Sequence, residues 1–249
     1  MKPKVVAIIQ ARMNSTRLPG KVLLPLAGKP VLWWMLKRIS LAESVDEIAI
    51  ATGSDISNQP IIDFSWDNEE SIPHSHYSFG GDEEDVLGRV LAAADYFQAD
   101  IIVDITADCP MVDPRHIDAL IGLLMKDKSL DYASNCVCRD WPDGLDIQVY
   151  WTDALIKVKR RFNPPNHVGW NIAQHPEHFT LNHWHAPIHW PDLGLTLDTP
   201  EDYEMLLNLF QIFGLDDPGF YAEDAVRYLK KNPKLITNKN VIRKIPEEG

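Results

Sequence analysis

The chain has 249 residues, 45% of them apolar and 24% charged, with a formal net charge of −12 at pH 7. This is the composition of an ordinary globular protein of one or two domains, and it excludes a collagen-like, coiled-coil or disordered chain. The acidic balance speaks against nucleic acid or an anionic membrane as the main partner, and no run nears the ~18 apolar residues of a transmembrane helix.

The charge is unevenly spread. Residues 1–42 contain no Asp or Glu but eight Lys and Arg, while the rest of the chain holds 36 acids. Scattered solvated lysines are the plain explanation; a focused positive site for a small polyanion is the sharper one. The apolar stretch of the opening MKPKVVAIIQAR is too short for a signal peptide, and no small-residue cleavage site follows it. Three cysteines, Cys109, Cys136 and Cys138, do not make a disulfide framework. Together these predict a cytoplasmic protein.

Residues 4–9 (KVVAII) read as a buried parallel strand. The polar loop that follows, QARMNSTRLPGK, packs Arg12, Arg17 and Lys21 among small turn-forming residues. Guanidinium forks pair with phosphate oxygens and a lysine adds a mobile charge, so such a loop at a strand end suits a triphosphate. It matches neither the Walker A nor the GxGxxG pattern. Pro30 is expected to open a helix over VLWWMLKRI, with Trp33, Trp34 and Met35 in its core. Residues 47–52 (EIAIAT) form a second strand, and 83–97 a helix whose apolar face includes Leu87, Val90 and Ala94.

Residues 101–106 (IIVDIT) are the third strand, followed by Asp108, a carboxylate placed either to hold a metal or to cap a turn before Pro110. Asp113 caps a helix from Pro114. Further strands are predicted over 131–134, 146–151, 179–186 and 195–197; Lys157–Arg161 reads as a helix end. Asp198 ends the last strand before a Pro-started helix near residue 200. It is a second metal candidate or a simple N-cap, with Asp202 matching the helix dipole. A last helix covers 221–229, and residues 232–249 read as a tail. Alternating strands and helices imply one α/β domain over 1–249, a mainly parallel sheet covered on both faces, with a strand-rich segment over 131–190. Ligands of such sheets sit beyond the carboxyl ends of the strands.

VAIIQARMNSTRLPGKVLLPLAGKPVL, GGDEEDVLGRV, DITADCPMVDP, WPDGLDIQVY and LTLDTPEDYEML occur in this order. Over about residues 4–210 they resemble the cytidylyltransferases that make CMP-activated sugar acids (acylneuraminate and KDO cytidylyltransferase-like), nearest the spore-coat polysaccharide biosynthesis branch. The resemblance implies a three-layer α/β/α nucleotide-diphospho-sugar transferase fold with a mixed, mainly parallel sheet. It implies homodimers, often formed through the strand-rich segment, and Mg²⁺-dependent transfer of CMP from CTP to a sugar-acid-like acceptor. It assigns Ala11, Arg12, Asn14, Ser15, Arg17 and Lys21 to the nucleotide, with Asp85 and Arg89 toward its base. Asp108 and Asp198 become the metal ligands, and with Arg12 and Lys21 the catalytic set. Asp143, Gly144, Asp146 and His167 fall on the acceptor side. The chain departs from the family pattern at Asp104, where relatives commonly place an arginine, and at Pro165-Asn166-His167-Val168-Gly169; both departures remove positive charge.

His183 and His185 alternate along a strand and share one face, but the spacing is not a zinc motif. Trp141, Trp151, Trp170, Trp184 and Trp190 are expected to form a dimer face. Two other readings stay open: nucleotidyl transfer from another NTP or to a non-sugar acceptor, and a silent dimeric scaffold.

Overall fold

The computed structural model describes residues 2–64, 72–162 and 168–242. The strands are β1 (Val5–Gln10), β2 (Pro25–Leu26), β3 (Lys29–Pro30), β4 (Glu47–Gly53), β5 (Ser75–Phe79), β6 (Ile101–Thr106), β7 (Tyr132–Ser134), β8 (Gln148–Trp151) and β9 (Leu181–His183). The α-helices are α1 (Val31–Ile39), α2 (Gln59–Ile62), α3 (Val86–Tyr96), α4 (Pro114–Lys126), α5 (Thr152–Arg161), α6 (Val168–Gln174), α7 (Pro200–Leu209) and α8 (Ala222–Lys231).

Seven strands form one sheet in the order β5-β4-β1-β6-β8-β7-β9, and β2 and β3 make a small separate hairpin. β1 runs parallel to β4 and β6, whereas β8 is antiparallel to both β6 and β7. The sheet is therefore mixed but mainly parallel, as the motif order implies. Alternate residues of each strand enter different cores. Val5, Ala7, Ile9, Ile101, Val103 and Ile105 join α1, α4, α7 and α8 on one face. Val6, Ile8 and Ile102 join α3, α5 and α6 on the other. Trp33, Trp34 and Met35 are buried in the core, as expected.

Several elements differ from expectation. β5 (SHYSF) is an edge strand of partly exposed residues, so it has little hydrophobic signature. α6 is short and glycine-containing and carries no strong periodic signal. Residues 195–197 are buried but join no ladder; the segment touches its neighbour through the isolated Asp143–Gly194 bridge. The expected tail is docked at least as far as Asn238, which is buried and donates to Gly194 O at 2.8 Å and Asp202 Oδ1 at 2.6 Å. Among the described residues, no helix is long and apolar enough to cross a membrane.

Candidate active site

In register, Gln10 lies opposite Ala51 on one side and Thr106 on the other, so β1 and β6 end together and β4 runs on two residues to Gly53. Their loops leave the same sheet edge. The loop after β1 is tied to the loop after β4: Met13 N donates to Asn58 Oδ1 at 2.9 Å and Asn14 Nδ2 to Ser57 Oγ at 2.9 Å. It then folds back, with Ser15 N and Gly20 N both donating to Met13 O at 3.0 Å. Gly20 has φ +67°, which only glycine adopts without cost. This return delivers Lys21 inward, 8% exposed.

Lys21 Nζ lies 2.7 Å from Asp108 Oδ2 and 2.7 Å from Asp198 Oδ1. Arg17 pairs with the other Asp198 oxygen at 2.8 Å. Burial alone would depress the Lys21 ammonium, but the two carboxylates outweigh it and hold its pKa above the usual value. For Asp108, burial pushes upward, and Lys21 with the Thr106 hydroxyl (2.6 Å) brings it below the ordinary range. Arg12 meets Glu84 at 2.8 Å. All three loop cations thus face acids. The Arg12 pair is exposed, worth about 0–1 kcal/mol, and easily exchanged for phosphate.

Asp198 is not the cap of α7. Thr199 takes that position, and Asp202 completes a capping box. Asp202 also accepts Asp198 N at 3.1 Å, so the cap fixes the backbone of Asp198 while its carboxylate faces Lys21. Asp108 and Asp198 bring two hard oxygen donors, the kind Mg²⁺ selects, to one position that the Lys21 ammonium occupies here; with Lys21 turned toward a phosphate, the pair would fit that ion.

The remaining predicted residues fall on three sides. Ala11 is buried and donates its N–H to Ala51 O at 3.1 Å; Ser15 is half-buried in the loop. Asp85 caps α3 through Gly88 N and pairs with Lys159 at 2.9 Å. Arg89 is buried, donating to Glu83 O at 2.8 Å and Gln10 Oε1 at 3.3 Å. Asp143 and Asp146 flank Arg139 at 3.5 and 2.7 Å. Gly144 has φ +96°, and a Cβ there would lie 2.3 Å from Leu195 C and Thr196 N. It lets the two chain segments touch. His167 lies outside the described residues.

A cavity of about 290 Å³ opens beside this cluster, bounded by Arg17, Asp108 and Asp198 at one end and by Asp104, Gln148 and Trp170 toward the other.

A cytidylyltransferase family model matches residues 6–153. The chain belongs to the cytidylyltransferase family. The spore coat polysaccharide biosynthesis protein SpsF of Bacillus subtilis is 31% identical over 245 residues, 94% of this chain and 98% of that protein. A solved cytidylyltransferase from Leptospira borgpetersenii is 28% identical with a TM-score of 0.86, covering 97% of this chain and all of that one. CMP:2-keto-3-deoxy-manno-octonic acid synthetase complexed with CTP shares the fold at 20% identity and a TM-score of 0.63, over 83% of this chain and 98% of that one. By family the protein is accordingly a nucleotidyltransferase.

In this cytidylyltransferase Trp141 is buried, whereas Trp151, Trp170, Trp184 and Trp190 are half-buried. Trp141 is 2% exposed and packs on His116 and Trp184, because α4 presents His116 beneath the 141–190 segment. Trp151, Trp184 and Trp190 lean on the same core, and Trp170 lines the cavity. His183 and His185 do share a face: both bond Asp140, at 3.1 and 2.9 Å. His183 Nδ1 accepts Cys138 N at 3.3 Å, and ligand atoms of Asp140, His183 and His185 lie within 4.8 Å of one another. Asn58, Thr106, Arg139 and Gln148 were not singled out from the sequence. Thr106 lies inside the DITADCP motif and was legible there; Asn58 has no local signature, because its role depends on which loops adjoin.

Proposed function

We propose that the protein transfers CMP from CTP to a hydroxyl of a carbohydrate acceptor, releasing pyrophosphate, with Mg²⁺ held by Asp108 and Asp198. One observation carries this reading: the Lys21 ammonium lies 2.7 Å from carboxylates contributed by two distant chain segments. The CTP complex of the fold neighbour supports the choice of nucleotide. The name of the SpsF relative supports a polysaccharide precursor as product.

Bound Mg²⁺ would supply Lewis acidity to the phosphate oxygens. The chain's own residues do the remainder. Lys21, held protonated by its two acids, and Arg17 are positioned to neutralise charge growing on the leaving pyrophosphate. Arg12, freed from Glu84, adds a guanidinium fork to the phosphates. The new bond joins the acceptor oxygen to the α-phosphorus. The bond to the bridging oxygen breaks, pyrophosphate leaves with the electron pair, and the hydroxyl proton passes to water. No protein nucleophile is needed, since such transfers rest on positioning and charge stabilisation.

The test is thermal stability with each NTP, with and without Mg²⁺, followed by pyrophosphate release. A ligand at a hundred times its Kd stabilises by about 2.7 kcal/mol. CTP with Mg²⁺ is expected to give the largest shift; a larger shift with another NTP, or none, overturns the proposal.

A further inference from the structure

We propose that the acceptor carries a protonated amine, seated on Asp104 in the cavity beside the hydroxyl that receives the nucleotide. This rests on the cytidylyltransfer reading and adds the chemical class of the acceptor, replacing the sugar-acid expectation.

Asp104 lies in the middle of the sheet, opposite Ile8 of β1 and Gln148 of β8, and is 2% exposed. It nevertheless lines the cavity. Among the described residues no ion pair reaches it, and its one side-chain hydrogen bond comes from Gln10 Nε2. Gln10 in turn accepts from Arg89 at 3.3 Å, so the Arg89 guanidinium acts on Asp104 through its charge and through this amide, with no ion pair between the two. Burial pushes the Asp104 carboxyl up to about 6, against the Gln10 hydrogen bond and the Arg89 charge. It is a carboxyl short of counter-charge.

The other charges of the cavity are committed. Arg139 is held by Asp146 at 2.7 Å and Asp143 at 3.5 Å, and Arg17 by Asp198 at 2.8 Å. Asp104, Asp108, Asp143, Asp146 and Asp198 make five lining acids against the two arginines. A sugar carboxylate near Asp104 would meet a like charge in a low-dielectric site, whereas an ammonium would supply the missing partner. Close by, Tyr132 Oη donates to Gln148 Oε1 at 3.1 Å, offering polar groups for neighbouring hydroxyls. The ammonium nitrogen has no lone pair and is not the nucleophile; transfer stays on oxygen.

The full chain is tested with CTP and Mg²⁺ against hexosamines, their N-acetyl derivatives and hexuronic acids, matched in ring stereochemistry. Thermal protection and pyrophosphate release are the readouts. The wild type is expected to favour amines at least tenfold over both other forms. Asp104→Asn is expected to lose that preference while keeping its CTP-dependent thermal shift, and Asp104→Glu to retain it. If Asp104 serves only as counter-charge to Arg89, Asp104→Asn lowers all acceptors equally, and the inference is overturned. Preference for hexuronic acids, or no preference for amines, overturns it as well. A wild type without any CTP shift sinks the cytidylyltransfer reading instead, so the two failures are distinguishable.

Discussion

The backbone N–H of Leu197 donates to the carbonyl oxygen of Asp108 at 2.8 Å. This bond brings the LTLD segment against the loop after β6, and it is why two aspartates far apart in sequence share one ammonium. The Lys21 ammonium sits between them at 2.7 Å from each, which makes it the electrostatic brace of the cluster.

Lys21→Ala leaves Asp108 and Asp198 facing each other without their common cation. Turnover is expected to fall by ~10²–10³-fold, the range for losing one preorganised electrostatic donor. The ligand-free melting temperature should also fall, and added Mg²⁺ should raise it more than in the wild type. Melting curves with and without MgCl₂ check this, and an equal Mg²⁺ response in both proteins would speak against a shared carboxylate site.

Gly144→Ala places a Cβ 2.3 Å from the backbone of Leu195 and Thr196, at φ +96°. The backbone cannot yield as a flexible side chain can, so a loss of about 1–3 kcal/mol is expected. Asp143 and Asp146 should shift with it. Denaturant titration measures the first effect. A rise in acceptor KM larger than that in CTP KM measures the second.

Gly169→Ala probes the far wall of the cavity. Its Cβ would lie 1.8 Å from Gln148 Oε1 and 2.7 Å from Tyr132 Oη. Gln148 can turn aside, but Tyr132 is buried and stacked on Tyr150, so some loss of stability is expected as the cavity shrinks. Acceptor KM is expected to rise severalfold with CTP protection unchanged.

The pH dependence of stability reports on Asp104. Its pKa is raised from 3.8 to about 6, so near pH 5 the folded chain holds a proton that the unfolded chain has released. The contribution is complete below the unfolded value and is lost as pH rises through about 6, a total of about 3 kcal/mol. The unfolding free energy of the wild type, minus that of Asp104→Asn, should therefore decline from about pH 4 to about pH 7 and then level off. A flat difference across that range would exclude a raised carboxyl at this position.

The sequence was most legible where the signal is local. The apolar runs of β1, β4 and β6 and the heptad-like faces of α1 and α4 appear within a residue or two of expectation, because burial on the sheet demands continuous or periodic apolar side chains. Capping was legible at Asp113, whose side chain accepts Arg115 N at 3.0 Å. At the start of α7 the sequence leaves Asp198 open between a metal ligand and an N-cap, because Asp198 and Thr199 are both competent caps and only the capping box with Asp202 decides between them. β5 and α6 were missed, since an edge strand and a short helix over a cavity need no strong apolar pattern.

By itself the sequence determined the α/β alternation, the cation-rich loop and the family, since these depend on residue type and order. Only the tertiary structure decided that Lys21 is shared by Asp108 and Asp198, that Asn58 braces the opening loop, that Trp141 belongs to the core, and that Asp104 reaches the cavity with no directly paired cation among the described residues. Each of these is a matter of distance between segments remote in sequence. Coulombic and desolvation energies depend on that distance and on burial, neither of which a string of residue names contains.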